Sequence, residues 1–282
     1  MKSCLINSDY VNTVIKRRKS DIHKGNCGRI LLIAGSFGMA GAATLCGRGA
    51  LRSGAGLVTF SVNEDIVSIL QTGVTEATCV LRSSHNWNDR KYDAIAIGPG
   101  LGEDERDAEL IKSILKDYEG TLVLDADGLN HIARNHMYEE LRQASCSVII
   151  TPHIGEAARL LELSVGEVVQ MDRDLVAKKL VKKTNAIVVL KGEGTIVATP
   201  DMESYINTTG NPGMATGGAG DVLTGIITSL AGQGLQPVDA AKAGVFLHGM
   251  AGDIGAEMLG EYGLLASDIA QMTALAIKKV LE

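Results

Sequence analysis

The chain has 282 residues, of which 45 % are hydrophobic and 21 % charged, a balance typical of a folded globular protein and not of a disordered one. Its formal net charge of −6 argues against nonspecific binding to nucleic acid, and we interpret the basic run Lys16–Lys19 as a solvated loop. The five cysteines form no CxxC pair, which favours free thiols in a reducing compartment. No leader-like segment or long apolar run is found, so we expect a cytoplasmic protein without a membrane span.

Short apolar runs alternate with helical patterns along the chain. Buried strands are predicted at Arg29–Ala34, Leu57–Val62, Tyr92–Ile97, Thr121–Asp125, Ser147–Thr151 and Ala186–Leu190, with helices at Ala40–Ser53 and Glu103–Lys116. A hairpin at the sheet edge is predicted at Thr195–Thr199 and Ser204–Asn207, followed by helices at Ala219–Ala231, Val238–Met258 and Leu265–Val280. Apolar strands separated by helices indicate a parallel sheet covered on both faces. We expect one α/β domain over residues 1–282, with three layers, α/β/α, and a mostly parallel central sheet.

Glycine-rich and polar segments follow most of the predicted strands. They are Gly35–Gly41, Gly98–Gly102, Asp125–Asn130, Thr151–Glu156, Lys191–Thr195 and Gly210–Asp221, and only the last does not come directly after a strand. Parallel sheets bind ligands outside the carboxyl ends of their strands. The sequence therefore predicts a ligand cleft at that edge of the sheet.

The segment with the clearest chemistry is Gly217–Asp221, GGAGD, which leads into an apolar helix. The first amides of a helix have no partner within the helix, and small residues there let a phosphate approach them. An Asp beside such an anion site can take a proton from an attacking hydroxyl. The alternative is that Asp221 is an ordinary acidic residue of a first helical turn.

The GAGD string, Gly218–Asp221, resembles the anion-hole motif of the ribokinase-like superfamily. The longer string Asn207–Gly234 is similar to the C-terminal signature of the ADP-dependent (S)-NAD(P)H-hydrate dehydratases. Further segments match that family in order: Lys24–Ala43, Gly98–Gly102 (GPGLG), Val123–Asn130, Thr151–Leu161 (TPHIGEAARLL) and Val189–Val197. The resemblance spans nearly the whole chain and implies a ribokinase-like fold.

The resemblance also implies an activity and its site. Family members use ADP to repair the S epimer of hydrated NADH and NADPH (NADHX and NADPHX), phosphorylating the added hydroxyl and then eliminating phosphate. Asp221 would be the base and would contact the substrate, while Gly218 and Gly220 would hold the transferred phosphate, Gly220 also contacting AMP. The NAD(P)H-hydrate would be lined by Ala40, Gly102 and His153. The nucleotide-binding loop would be Lys191, Gly192, Glu193, Gly194 and Thr195, with Mg²⁺ accompanying the phosphates.

Each of these residues has a structural alternative. Ala40 could start a tightly packed helix, Gly102 could be a helix N-cap, and His153 could form a capping element with Glu156. Lys191 could be a surface lysine. As second-tier candidates, Asp125 and Asn130, with Asp127, could bind a metal or serve as turn and cap residues. No metal ligand is assigned.

Three other functions compete with the dehydratase. A small-molecule kinase of the hydroxyethylthiazole or hydroxymethylpyrimidine type would use Asp221 in the same way and stop at the phosphorylated product. The second is a dinucleotide dehydrogenase, but the glycines at Gly35–Gly41 do not match the GxGxxG motif of that class. No Walker A string occurs either, which argues against a P-loop enzyme. A catalytically silent nucleotide sensor is the third.

A dehydratase would also require a separate NAD(P)H-hydrate epimerase for the R epimer. Relatives often form tetramers, so we expect a homotetramer. No nucleic acid or membrane partner is expected.

Overall fold

The computed structural model describes residues 4–282, which contain ten strands in one sheet. The strands are β1 (Cys4–Ile6), β2 (Arg29–Ile33), β3 (Leu57–Val62), β4 (Thr78–Leu81), β5 (Ala94–Ile97), β6 (Thr121–Leu124), β7 (Ser147–Ile150), β8 (Ile187–Leu190), β9 (Ile196–Ala198) and β10 (Ser204–Asn207). The α-helices are α1 (Ser8–Val14), α2 (Ala40–Arg52), α3 (Val67–Gly73), α4 (Glu105–Asp117), α5 (Ala126–Arg134), α6 (Tyr138–Arg142), α7 (Ile154–Leu161), α8 (Val165–Gln170), α9 (Arg173–Thr184), α10 (Ala219–Gly232), α11 (Pro237–Leu259) and α12 (Ala266–Leu281).

The sheet has the strand order β1-β10-β9-β8-β7-β6-β5-β2-β3-β4. Strands β2 to β8 pair in parallel, whereas β9 runs antiparallel to both β8 and β10. The chain reverses at β2, so β3 and β4 lie on one side of it and β5 to β8 on the other. The prediction of a mostly parallel sheet with a local hairpin is confirmed.

Helices cover both faces of the sheet, because successive side chains of each buried strand point to opposite faces. In β2, Ile30 and Leu32 belong to one apolar core and Leu31 and Ile33 to the other. The first core is formed with α2, α10, α11 and α12, and the second with α4 to α9. This is the three-layer α/β/α arrangement predicted from the sequence. Among the described residues, no helix combines the length and the apolar character that a membrane crossing requires.

Two sheet edges differ from the prediction. The edge beyond the hairpin is occupied by β1, which pairs in parallel with β10, so the hairpin is not the outermost element. The opposite edge is β4, which pairs with β3. Both strands were missed because they are short and only partly buried, which leaves no apolar run. Elsewhere the predicted elements are present, with bounds shifted by two residues or fewer.

Candidate functional site

The predicted phosphate-binding motif, Gly217–Asp221, lies at the N-terminus of α10. Gly218 is the N-cap residue and has a positive φ of 91°. A Cβ at that position would lie 2.3 Å from Leu45 Cδ1 of α2, so the approach of the two helices also requires glycine there. At Gly217, by contrast, a Cβ would meet no heavy atom within 4 Å. The start of α10 therefore faces open space where an anion can reach its first amides.

Lys191 places its ammonium group over this first helical turn. Its Nζ lies 3.2 Å from the point that a Cβ on Gly220 would occupy. The same Nζ donates a hydrogen bond of 2.7 Å to Asp125 Oδ1 and lies 3.7 Å from Glu156 Oε2. Although burial works against the charged form, Asp125 and Glu156 outweigh it and raise the pKa of Lys191. Lys191 is thus a fixed cation at the start of α10, and the surface-lysine alternative is wrong.

Asp125 holds Lys191 from the end of β6. Its carboxylate is 1 % exposed, and Thr224 Oγ1 donates to its Oδ2 at 2.7 Å. Thr224 lies one turn after Asp221 on α10, so this bond ties α10 to the sheet. The sequence analysis missed Thr224, because a threonine within an apolar helix gives no local sign of its partner.

Asp221 is half-buried in the first turn of α10. Burial, followed by the nearby negative charge of Asp125, raises the pKa of Asp221 to about 7, while Lys191 lowers it. A carboxyl group with a pKa near the operating pH is suited to accept a proton and release it again. A first-turn Asp kept only for the helix dipole would not need this environment.

The segment from Lys191 to Thr195 forms the tight connection between β8 and β9. Gly192 and Gly194 have positive φ values of 141° and 56°, and Thr195 Oγ1 donates to Gly192 O at 2.9 Å. Arg173, at the start of α9, donates to the carbonyl oxygens of Leu190 at 3.1 Å and Lys191 at 3.2 Å, and also to that of Glu193. Arg173 therefore braces the predicted nucleotide loop, a role that the sequence analysis missed.

His153 is the N-cap residue of α7 and forms a capping box with Glu156, so the capping alternative is correct. Its Nδ1 accepts from the amide of Gly155 at 2.9 Å, and Glu156 Oε2 accepts from the amide of His153 at 2.8 Å. The imidazole Nε2 lies 3.4 Å from Glu156 Oε1, and about half of the side chain is exposed. Capping thus leaves one edge of the ring open to a ligand.

Ala40 and Gly102 follow β2 and β5, which are neighbours in the sheet. Ala40 is the first residue of α2 and is nearly buried. Gly102 has a φ of 90°, and its amide donates to Asp127 Oδ2 at 2.9 Å. The N-cap of α4 is Asp104, so the interpretation of Gly102 as an N-cap residue is wrong. His131, also missed from the sequence, fixes this loop because its Nε2 lies 3.1 Å from Gly102 O.

Asn130 makes its hydrogen bonds away from the Lys191 cluster. Its Nδ2 donates to Asp127 Oδ1 at 3.1 Å, and Arg159 Nη1 donates to its Oδ1 at 2.6 Å. It lines a separate cavity of about 420 Å³ with Glu103, Ala133, Arg134 and Arg159. Of the two second-tier candidates, the structure therefore brings only Asp125 to the start of α10.

His248 is a further residue that the sequence analysis missed. It lies on α11, and its Nε2 is 2.9 Å from the carbonyl oxygen of Ala219, the first residue of α10. Burial lowers its pKa to about 4, so the ring is neutral and donates this hydrogen bond through Nε2. The bond fixes the first turn of α10 against α11.

The carboxylates near Lys191 suit a magnesium ion that is shared with phosphate groups. Mg²⁺ is commonly bound by one or two carboxylates together with substrate phosphates and water. Asp125 and Glu156 supply two buried carboxylates, 2.7 and 3.7 Å from the Lys191 ammonium, at a position that already accommodates positive charge. Within residues 4–282, no group of three or more His, Cys, Asp or Glu side chains is arranged to hold a metal unaided. The donor set therefore fits a nucleotide-bound Mg²⁺.

Comparisons with known proteins agree with this geometry. A family model described as NAD(P)H-hydrate dehydratase matches residues 30–274. The ADP-dependent (S)-NAD(P)H-hydrate dehydratase of Neisseria meningitidis is 40 % identical, over 91 % of this chain and 87 % of its own. The solved ADP/ATP-dependent NAD(P)H-hydrate dehydratase of Bacillus subtilis, co-crystallised with ATP and Mg²⁺, superposes with a TM-score of 0.90 at 31 % identity and covers 99 % of both chains.

Other relatives are longer than this chain. A bifunctional NAD(P)H-hydrate repair enzyme of Moorella thermoacetica is 39 % identical over 99 % of this chain, but only 54 % of its own length is matched. The chain spans about half the length of the first curated relatives it matches.

The mostly parallel sheet, the helices on both faces and the GAGD turn at a late helix start define a protein of the ribokinase-like class. Within that class, the chain belongs to the NAD(P)H-hydrate dehydratase family.

Proposed function

We propose that this protein catalyses the ADP-dependent dehydration of the S epimer of NADHX and NADPHX to NADH and NADPH, with AMP and phosphate as the other products. The observation that carries the proposal is the juxtaposition of Asp221 and Lys191 at the N-terminus of α10. It provides a base for a hydroxyl and a fixed cation for a phosphoryl group at one place. Family membership supplies the substrate class.

In the proposed reaction, Asp221 takes the proton of the substrate hydroxyl while the hydroxyl oxygen attacks the β-phosphorus of ADP. The bond between that phosphorus and the bridging oxygen of ADP breaks, and AMP leaves. The first amides of α10, at Gly218 to Gly220, and the Lys191 ammonium stabilise the charge of the transferred phosphoryl group. The carbon–oxygen bond of the phosphate ester then breaks and phosphate leaves, the neighbouring ring carbon loses a proton to solvent, and the ring double bond is restored. Mg²⁺ held by Asp125 and Glu156 would supply further charge neutralisation at the phosphates.

Two binding regions are assigned on the same basis. The turn from Lys191 to Thr195, together with Gly220, would bind the nucleotide, since its two positive-φ glycines let a ligand lie against the backbone. Ala40, Gly102 and His153 would line the NAD(P)H-hydrate, because they follow β2, β5 and β7 at the same edge of the sheet as Asp221.

The assembly and setting of the enzyme are also proposals. We infer that residues 1–282 act as one domain, because one continuous sheet joins the described elements. The bifunctional names of longer relatives support functional pairing with an NAD(P)H-hydrate epimerase. The homotetramer is proposed from the resemblance alone, and the cytoplasmic location from the sequence features given above. Light scattering of the purified protein tests the tetramer.

The activity is tested by absorbance at 340 nm with purified NADHX, Mg²⁺ and either ADP, ATP or no nucleotide. The proposal predicts that the absorbance rises only when a nucleotide is present. With ADP as the donor, one AMP is released for each NADH formed. ADP-dependent AMP release without any absorbance change, in the presence of another alcohol, would instead establish a small-molecule kinase. A flat trace with every donor would contradict the proposal.

A further inference from the structure

One aromatic side chain at the edge of the cleft is almost fully exposed. Phe37 is 86 % exposed, whereas the other phenylalanines, Phe60 and Phe246, are 0 % and 3 % exposed. Met39, two residues further on, is 40 % exposed. A single exposed apolar residue is ordinary on a protein surface. Two exposed apolar residues on one short loop beside a polar cleft, Phe37 and Met39, indicate a surface that a ligand could cover.

The loop that carries Phe37 is braced on both sides. The Gly35 amide donates to the carbonyl of Pro99 at 2.8 Å, and Ser36 Oγ donates to that of Gly100 at 2.9 Å. The Met39 amide closes the turn by donating to Ser36 O at 2.8 Å, and Gly35 and Gly38 both have a φ of 80°. These contacts fix the backbone on either side of Phe37. The ring is therefore displayed by a defined turn.

This turn borders the proposed substrate site. It leads directly into Ala40 at the start of α2, and Leu45 of the same helix contacts the N-cap of α10. A Cβ added at Gly38, Gly41 or Gly217 would meet no heavy atom within 4 Å, so open space adjoins both the turn and the start of α10. At the start of α10 this space adjoins the charged Asp221 and Lys191, and the half-exposed His153 follows β7 at the same edge of the sheet.

We propose that Phe37, with Met39 beside it, stacks on the adenine ring of the dinucleotide substrate and so determines its preference for dinucleotides over mononucleotides. This inference rests on the proposed function. The hydrated ring must bring its hydroxyl to Asp221, inside the polar part of the cleft, so the rest of the dinucleotide extends outward past the rim. A flat base at that end needs an aromatic or apolar surface, and this turn supplies one.

The test compares two ligands that differ only in the adenylate half. NADH and reduced nicotinamide mononucleotide both fluoresce, so each can be titrated directly against the wild type, Phe37→Ala and Phe37→Tyr. Stacking on a base is strong enough that its loss should weaken NADH binding by about 5- to 100-fold in Phe37→Ala. Binding of the mononucleotide should not change, and Phe37→Tyr should bind both as the wild type does. Leu275→Ala, at an exposed position of α12, is the control and should change neither.

Several results would overturn the inference. Unchanged NADH binding in Phe37→Ala would show that Phe37 does not contact the ligand. Equal weakening of both ligands would show that Phe37 acts at the nicotinamide end or by holding the loop in shape. A change in oligomeric state of Phe37→Ala by light scattering would assign the ring to a subunit interface. The titration does not require turnover. A wild type that binds NADH through Phe37 but fails to convert NADHX would refute the proposed function and leave this contact standing.

Discussion

Replacing Thr224 by Val should destabilise the protein far more than the same replacement one turn later on α10. Thr224 is fully buried, and its Oγ1 donates to Asp125 Oδ2 at 2.7 Å. Valine has the same shape, so the replacement removes the hydroxyl without opening a cavity. Asp125 is itself buried and would keep Lys191 as the partner of its other oxygen only. The change therefore isolates one hydrogen bond to a buried carboxylate.

A hydrogen bond to a charged group contributes about 1.5–3 kcal/mol, and a buried acceptor left without its partner loses about as much. We expect Thr224→Val to lower the free energy of unfolding by about 2 kcal/mol. Thr228→Val is the matched control: it is equally buried, but its Oγ1 donates at 2.7 Å to the carbonyl of Thr224, a bond within the helix that contributes little. That control should lose less than about 1 kcal/mol.

The measurement is urea denaturation of both variants at pH 7 without nucleotide. Equal losses of unfolding free energy would show that the bond between Thr224 and Asp125 does not stabilise the cluster, and the argument that it ties α10 to the sheet would fail. A Thr224→Val variant as stable as the wild type would have the same consequence.

Three further predictions concern the site and its helix packing. Because burial and Asp125 raise the pKa of Asp221 to about 7 and the base must be ionised, kcat/KM should fall about tenfold per pH unit below pH 6; a profile flat from pH 5 to 8 would refute this role. Arg173→Met should raise the KM for ADP about tenfold with little change in kcat, since the carbonyls of Lys191 and Glu193 in the nucleotide loop and that of Leu190 at the end of β8 lose this donor; steady-state kinetics with varied ADP would decide. Gly225→Ala would bring a Cβ to 1.9 Å from the Cys46 carbonyl oxygen and should lower stability by about 1–3 kcal/mol in denaturant melts, whereas Gly166→Ala, which has space, should not.

The central strands could be predicted from the sequence because they are buried on both faces and leave continuous apolar runs. β6, for example, is TLVL and is buried throughout. The edge strands β1 and β4 could not, because each has only one neighbour and is partly exposed. Their pairing depends on the length and register of the strand beside them, which local composition does not encode.

The same distinction applies to the candidate site. Asp221, Lys191 and the glycine turns could be found because they interrupt apolar runs at strand and helix ends. Thr224 and Arg173 could not, since each looks like an ordinary helical residue until packing brings it to Asp125 or to the loop after β8. The N-cap alternative for Gly102 is wrong because the helix it precedes begins three residues later, after Asp104.

The most direct test of the account follows the oxygen of the substrate hydroxyl. NADHX prepared by hydrating NADH in ¹⁸O-water carries the label at that position, and it is turned over with unlabelled ADP in ordinary water. If Asp221 activates the hydroxyl for phosphorylation before the carbon–oxygen bond breaks, the label must appear in inorganic phosphate, as measured by mass spectrometry or by the ³¹P isotope shift. Label found in water, with unlabelled phosphate, would contradict the phosphorylated intermediate and the roles assigned to Asp221 and Lys191.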